Sequence, residues 1–151
     1  MKRALLIVMA CGLFMAAEAQ KQERALTRNE ELNRAYCRGL FASADGTFFD
    51  MMDPKVSAGS QGFMNILDFL EGRVPNLTLR KGEDFLRVPY IRGNRASIFL
   101  NEIPINPGML TGIPITDVAM IKVIRGPFAG GAGSATGGAV AIYTINSDSE
   151  E

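Results

Sequence analysis

Short apolar runs separated by turn residues dominate the second half of the sequence. Runs of this length, rich in valine, isoleucine, leucine and phenylalanine, are typical of β-strands. We predict strands at 77–80, 87–92, 97–100, 103–105, 120–124 and 139–145. Polar or glycine-containing turns are predicted between them at 81–84, 93–95, 101–102 and 106–108. Pro114 is placed to begin a one-turn helix before the fifth strand, because its fixed φ suits the first helical position.

A helical period precedes the first of these strands. Apolar residues at positions 63, 66, 67 and 70 have the i, i+3, i+4, i+7 spacing that lines one face of an α-helix. The period predicts a helix from Ser60 to Gly72, with the Ser60 hydroxyl as N-cap and Gly72 as the residue that ends it. A second helix is predicted at 28–38, because Thr27 and Glu30 have the spacing of a capping box.

The region between the two helices has less regular patterns. Asp45-Gly46 is a favourable two-residue turn, and aromatic and methionine residues on both sides favour a hairpin within 40–52. Residues 53–59 contain a proline, a glycine and small polar side chains, which predict a linker. From residue 60 onward, short helices alternate with short strands. This order predicts an α+β fold with a small mixed β-sheet and interspersed short helices.

The N-terminus has the composition of a secretory signal peptide. A basic start and an apolar stretch at 4–16 precede Ala17-Glu18-Ala19, which has the small-x-small pattern of a signal-peptidase site. We therefore predict a signal peptide at 1–19 and export across the inner membrane to the periplasm or the outer membrane. The alternative is lipidation at Cys11, since the three residues before it loosely complete a lipobox.

Charge and composition exclude several classes of function. Removal of residues 1–19 would leave a chain with a net charge of about −1, and a nucleic-acid-binding protein needs a clear basic excess. The sequence contains no histidine, which excludes imidazole bases and histidine metal sites. Cys37 is the one cysteine left after processing, and such a thiol is usually a small core residue. We expect no nucleic-acid partner, no metal and no cofactor.

The stretch 120–145 places six glycines and Pro127 between two apolar runs. Glycine loops that bind phosphate lead into a helix N-terminus, whereas this loop lacks a Lys-Ser/Thr ending and leads into a predicted strand. Phosphate binding is therefore disfavoured. Acidic residues that a hydrolase would need fall in polar turns, where they usually act as turn formers: Asp45, Asp50, Asp53, Glu83 and Asp84. We predict that the chain is not an enzyme.

Three motifs occur in register along the chain. Leu70–Leu77 ends a predicted helix and enters a strand, and Tyr90-Ile91-Arg92-Gly93 is followed by the apolar segment Ser97–Ile105. Val123-Ile124-Arg125-Gly126-Pro127 is followed by a small-residue loop and Gly137-Gly138-Ala139. Together, over about residues 63–145, these motifs resemble the plug domain of TonB-dependent outer-membrane receptors.

The resemblance implies a compact domain that fills the lumen of a β-barrel. In the family, the arginines of two Arg-Gly turns resemble residues that pair with carboxylates on the barrel wall, and Arg92 and Arg125 stand at the matching positions. The alternative is that both are solvated surface arginines, which contribute little as single exposed ion pairs. The predicted partner-docking residues are Arg92, Gly93, Asn94, Arg95, Arg125, Gly126 and Pro127.

These expectations define a non-catalytic plug-like module that acts by protein–protein contact, in association with TonB-dependent nutrient uptake in a Gram-negative cell. Because no barrel strands follow the plug-like segment, we expect it to act on a partner: an outer-membrane β-barrel receptor or a periplasmic energiser protein. One alternative is a soluble periplasmic small-ligand-binding module that holds an anion with Arg92, Asn94 and Arg95. Another is a degenerate receptor fragment with no independent activity. The predicted organisation is a signal peptide at 1–19, an N-terminal helix and linker region at 20–59, a plug-like domain at 60–146 and an acidic tail at 147–151.

Overall fold

The structure is a computed structural model that describes residues 27–43, 45–82, 85–128 and 136–145. The predicted signal peptide, the acidic tail and most of the glycine loop lie outside the described residues. The described part forms the helices α1 (Arg28–Tyr36), α2 (Pro54–Ser60) and α3 (Ile66–Leu70). Its strands are β1 (Thr47–Asp50), β2 (Leu77–Lys81), β3 (Arg87–Ile91), β4 (Asn94–Arg95), β5 (Ser97–Leu100), β6 (Ile103–Ile105), β7 (Val118–Ile124) and β8 (Ala139–Thr144). Short 3₁₀ turns occur at Gly39–Phe41, Pro107–Gly112 and Ile115–Asp117.

The strands are divided between two sheets. A mixed sheet has the order β1-β7-β8-β5-β6. In it β8 is parallel to β5, and the other neighbouring strands are antiparallel. The second sheet is antiparallel and has the order β2-β3-β4. The predicted α+β fold with a mixed sheet and short interspersed helices is confirmed.

Two inner strands of the mixed sheet, β7 and β8, are buried on both faces. Because successive residues of a strand point to opposite faces, these strands contribute to two apolar clusters. Ile121 and Ile142 pack with α3 and the three-stranded sheet. Met120 and Tyr143 pack with residues 27–43, which we call the N-terminal segment. The mixed sheet is therefore the middle layer of the fold.

The capping box that begins α1 is confirmed. The Glu30 N–H donates to Thr27 Oγ1 at 3.4 Å, and the Thr27 N–H donates to Glu30 Oε2 at 2.8 Å. The helix ends at Tyr36, two residues earlier than predicted. Gly39 follows with a φ of +50°, a conformation that glycine adopts without strain.

Two predictions for the region between α1 and α3 are wrong. The hairpin expected within 40–52 does not form, because Thr47–Asp50 pairs with β7 instead. The linker expected at 53–59 is the helix α2. Asp53 caps this helix by accepting a hydrogen bond from the Lys55 N–H at 2.8 Å, and Pro54 occupies the first helical position, where an N–H has no helical partner.

The helix predicted from Ser60 to Gly72 is correct only in its second half. Ser60 ends α2 and is not an N-cap; its hydroxyl donates to the Ser57 carbonyl at 2.8 Å. Asn65 caps α3 instead, accepting from the Leu67 N–H at 2.8 Å. Gly72 follows the helix with a φ of +85°. Asparagine is as good an N-cap as serine, so the apolar period alone did not fix the starting residue.

Most strand predictions are confirmed within two residues. The predicted loop at 93–95 is shorter than expected, because Asn94 and Arg95 form β4. The Asn101-Glu102 turn has φ values of +47° and +67°, as a type I′ hairpin turn requires. Pro114 precedes the 3₁₀ turn Ile115–Asp117 as its N-cap and does not occupy its first position.

Candidate functional site

The first predicted docking turn, Arg92-Gly93, connects β3 to β4 and is called the Arg92 turn here. Its two residues have φ values of +54° and +82°. Positive φ at both positions is what a type I′ turn requires, and its twist matches that of the flanking strands. The Arg92 N–H donates to the Asn76 carbonyl at 3.0 Å. The turn backbone is thus fixed to the chain before β2, while the Arg92 side chain is exposed.

The second predicted docking turn, Arg125-Gly126-Pro127, follows the end of β7 and is called the Arg125 turn. Pro127 has no N–H and cannot extend the strand ladder. The next residue, Phe128, returns to the sheet, with its ring centroid 4.7 Å from that of Phe41 and 5.7 Å from that of Phe99. These aromatic contacts anchor the turn, and Arg125 remains exposed.

Strand register brings the Arg125 turn and β4 to the same end of the mixed sheet. Ala139, the first residue of β8, lies opposite both Ile124 in β7 and Ser97 in β5. The Arg125 turn begins directly after Ile124, and β4 ends two residues before Ser97. The Arg125 turn and the β3–β4 hairpin, which carries the Arg92 turn at its tip, therefore approach the residues that precede Ala139, which are Gly137 and Gly138.

This glycine pair lies between β4 and the Arg125 turn. A Cβ on Gly137 would overlap the carbonyl oxygen of Arg95, in β4, and lie 2.6 Å from its carbonyl carbon. A Cβ on Gly138, which has a φ of +87°, would overlap the carbonyl oxygen of Ile124 and lie 3.1 Å from that of Gly126, in the Arg125 turn. Glycine is required here because the backbone passes directly against the strand that follows the Arg92 turn and against the Arg125 turn.

The arginines at this end of the sheet have no carboxylate partner among the described residues. The ion pairs found there belong to Arg28 and Arg87, and none involves Arg92, Arg95 or Arg125. All three of these side chains are exposed. Their guanidinium groups are therefore available to carboxylates of a partner. The role of these residues in docking stays a prediction.

Sequence reasoning missed Lys122, in the middle of β7. Its side chain is fully buried, and Nζ donates to Asn33 Oδ1 at 2.7 Å, to the Phe41 carbonyl at 2.6 Å and to the Ser43 carbonyl. All three acceptors are neutral, and burial lowers the pKa of Lys122. The available signal was a lone lysine in the otherwise apolar run Val118–Ile124.

Glu102, in the turn between β5 and β6, contacts the N-terminal segment to which the acceptors of Lys122 also belong. Its Oε1 accepts from the Arg38 N–H at 2.5 Å and from the Tyr143 hydroxyl at 3.3 Å. Burial raises the pKa of Tyr143 and the pKa of Cys37, so both groups stay neutral at neutral pH. These contacts hold the N-terminal segment in place.

The described part of the chain contains no group of three or more Asp, Glu or Cys side chains that is placed to hold a metal ion. None of its helices is long and apolar enough to cross a membrane.

Comparison with known families identifies the class of domain. The family model of the TonB-dependent receptor plug domain matches residues 56–140, a range that contains both arginine turns and extends from α2 to the start of β8. The chain therefore belongs to the TonB-dependent receptor plug domain family. No curated protein matches the chain in sequence.

Solved structures with the same fold are much longer proteins. The siderophore receptor PirA from Acinetobacter baumannii is 23% identical with a TM-score of 0.52, and the match covers 79% of this chain and 18% of PirA. A variant of the ferric enterobactin receptor PfeA from Pseudomonas aeruginosa is 21% identical with a TM-score of 0.52, over 79% of this chain and 19% of PfeA. The RagAB peptide importer is 15% identical with a TM-score of 0.50, over 68% of this chain and 12% of the importer chain. This chain thus spans less than a fifth of the length of each, and the likeness shows the fold.

Proposed function

We propose that this chain is a non-catalytic plug module that acts by protein–protein contact in the periplasm or at the outer membrane, in TonB-dependent nutrient uptake. In this proposal its Arg92 and Arg125 turns dock against carboxylates of an outer-membrane β-barrel receptor. A periplasmic energiser protein is the second partner class. Family membership supports the proposal, as do structural neighbours named as a siderophore receptor and a ferric enterobactin receptor.

The observation that carries the proposal is that Gly137-Gly138 lies against β4, which follows the Arg92 turn, and against the Arg125 turn. Two segments that carry arginines distant in sequence are thereby fixed against the same pair of glycines at the start of β8. A guanidinium pairs with a carboxylate through two parallel hydrogen bonds. Single exposed pairs are weak, whereas charge pairs that an interface removes from water contribute more to complex stability. A rigid pair of arginine turns is thus suited to dock on an acidic surface.

Affinity capture from the native host tests this function. The full-length tagged chain is recovered from solubilised outer membrane and from periplasm, and bound proteins are identified by mass spectrometry. We expect an outer-membrane β-barrel protein, and we expect Arg92→Glu/Arg125→Glu to lower its recovery about tenfold. The control Arg34→Glu/Lys55→Glu makes the same charge change at exposed positions of α1 and α2. Recovery that the first variant leaves unchanged would overturn the docking role.

A second candidate function is small-anion binding by the β3–β4 hairpin. Arg92, Asn94 and Arg95 are exposed together on this hairpin, without a carboxylate partner among the described residues. Thermal unfolding with citrate or inorganic phosphate distinguishes the two functions. A rise in Tm that Arg95→Ala abolishes, together with no captured barrel protein, would favour the small-anion module.

A further inference from the structure

The three-stranded sheet has a face that the two turns do not use. Directly opposite residues of antiparallel strands point to the same side, and the pair Leu77 and Ile91 points into the core. The next pair, Thr78 and Tyr90, therefore points away from the core, and Arg95 lies opposite Tyr90 in β4. We call this side of the sheet the outward face.

Arg80 belongs to the same face because it lies two residues after Thr78 in β2. Its guanidinium carbon is 4.4 Å from the centroid of the Tyr90 ring, a cation–π contact. Arg80 and Arg95 are exposed, and Tyr90 is half-buried. The outward face thus has one guanidinium stacked on the Tyr90 ring and a second arginine on the neighbouring strand.

Neither arginine of the outward face is neutralised by a carboxylate in the described ranges. Arg87, on the other side of the same sheet, pairs with Asp68. A guanidinium stacked on an aromatic ring keeps its N–H groups available at its edge, where a planar carboxylate can accept two hydrogen bonds. Because Arg80 is already ordered by the Tyr90 ring, less side-chain entropy would be lost on binding.

We propose that the outward face, through Arg80, Tyr90 and Arg95, binds carboxylate side chains of the partner protein that docks on the arginine turns. This inference rests on the proposed docking function. β3 and β4 run directly from the outward face into the Arg92 turn, so a protein that covers the turn also reaches the face. Since the arginines of both surfaces have no carboxylate partner in the part of the chain that the structure describes, the combined area is complementary to an acidic protein surface.

Site-specific photo-cross-linking in the native host tests the inference. Three variants each carry one benzoylphenylalanine, which replaces Thr78 on the outward face, Pro127 in the Arg125 turn, or Met64. Met64 is 99% exposed, so its variant is the control for cross-linking by random collision. The full-length tagged chain is irradiated, and the adducts are mapped by mass spectrometry. We expect positions 78 and 127 to label the same barrel protein, and position 78 to label a segment that contains Asp or Glu.

Charge variants in the same cells show whether the adduct yield at position 78 depends on the arginines of the outward face. Arg80→Glu/Arg95→Glu should lower the adduct yield at position 78 about tenfold. Arg80→Glu alone, which alters no residue of the docking turns, should also lower the yield at position 78 and should leave the yield at position 127 within about twofold. Arg80→Gln/Arg95→Gln should act in the same direction, and equal Tm values exclude unfolding as the cause. The control Arg34→Glu/Lys55→Glu should change neither yield.

The outcomes separate the inference from the function on which it rests. An adduct at position 127 without one at 78 overturns the outward face and keeps the docking turns. Three further outcomes at position 78 would overturn the inference. They are an adduct with lipid, an adduct yield equal to that at position 64, and an adduct yield that the substitutions of Arg80 and Arg95 do not change. The absence of a protein adduct at both positions overturns the inference and the proposed function together.

Discussion

The ammonium of Lys122 in β7 lies 2.7 Å from Oδ1 of Asn33 in α1, a residue 89 positions earlier in the chain. With the carbonyls of Phe41 and Ser43, this hydrogen bond holds the N-terminal segment across one face of the mixed sheet. A buried ammonium without acceptors is strongly unfavourable, so the lysine and its acceptors depend on one another. The N-terminal segment is therefore integral to the fold, although the family match begins at residue 56.

Lys122→Met should destabilise the protein by roughly 2–4 kcal/mol, because it removes the donor to Asn33 Oδ1, to the buried Phe41 carbonyl and to the Ser43 carbonyl. The methionine has similar length and is apolar, so lost packing contributes little. Urea unfolding at pH 7 measures the change. Lys55→Met, at an exposed position, is the control and should stay within about 0.5 kcal/mol of the parent protein. Equal stability of the two variants would show that the buried hydrogen bonds are not needed.

Cys37 should make the protein lose stability at alkaline pH. Burial raises the pKa of its thiol in the folded state, so above the unfolded pKa of about 8.5 the unfolded chain releases a proton that the folded chain keeps. Stability contributed by the neutral thiol is complete below that pH and falls above it, by at most about 1.4 kcal/mol per pH unit. The groups that influence this thiol are Tyr143, Lys122 and Glu102.

The Cys37→Val variant isolates this effect, because valine is similar in size and does not ionise. Urea unfolding of both proteins is compared at pH 7, 8, 9 and 10 with a reductant present. The stability difference should be constant up to pH 8 and should then move in favour of the valine variant. A difference that stays constant up to pH 10 would contradict the raised thiol pKa.

Gly138→Ala should destabilise the protein by about 2–3 kcal/mol, because the new Cβ would meet the carbonyl of Ile124 and the residue has a φ of +87°. Gly62→Ala is the matched control, since nothing lies within 4 Å of its Cβ position. Thermal or urea unfolding of both variants measures the difference. If the alanine at position 138 is tolerated as well as that at position 62, then the backbones of β8 and the Arg125 turn are not in close contact.

Local patterns predicted the strands and caps whose determinants lie within a few residues. The Thr27 capping box and the turn between β5 and β6 are of this kind. The partner of β1 was predicted wrongly, because its pairing with β7 joins positions about 70 residues apart and no local pattern encodes that contact. α2 was missed because its glycine and serines outweighed the correct signal, an Asp53 N-cap followed by Pro54.

The sequence predicted only those parts of the candidate site that short local motifs encode. The Arg92 and Arg125 turns were identified from short motifs, but the motifs do not say that the β3–β4 hairpin and the Arg125 turn approach the same glycine pair. This arrangement depends on the parallel pairing of β5 with β8 and the antiparallel pairing of β8 with β7, which is a property of the tertiary fold. The neutral acceptors of Lys122 come from the distant N-terminal segment and were equally invisible in sequence.

The ratio of barrel protein captured by two charge-matched variants of the full chain tests the proposed docking function. Arg92→Glu/Arg125→Glu places two carboxylates on the proposed docking surface, and Arg34→Glu/Lys55→Glu places two on other exposed positions. With equal Tm values, we expect the first variant to capture about tenfold less barrel protein than the second. Equal capture by the two variants would show that the arginine turns do not dock.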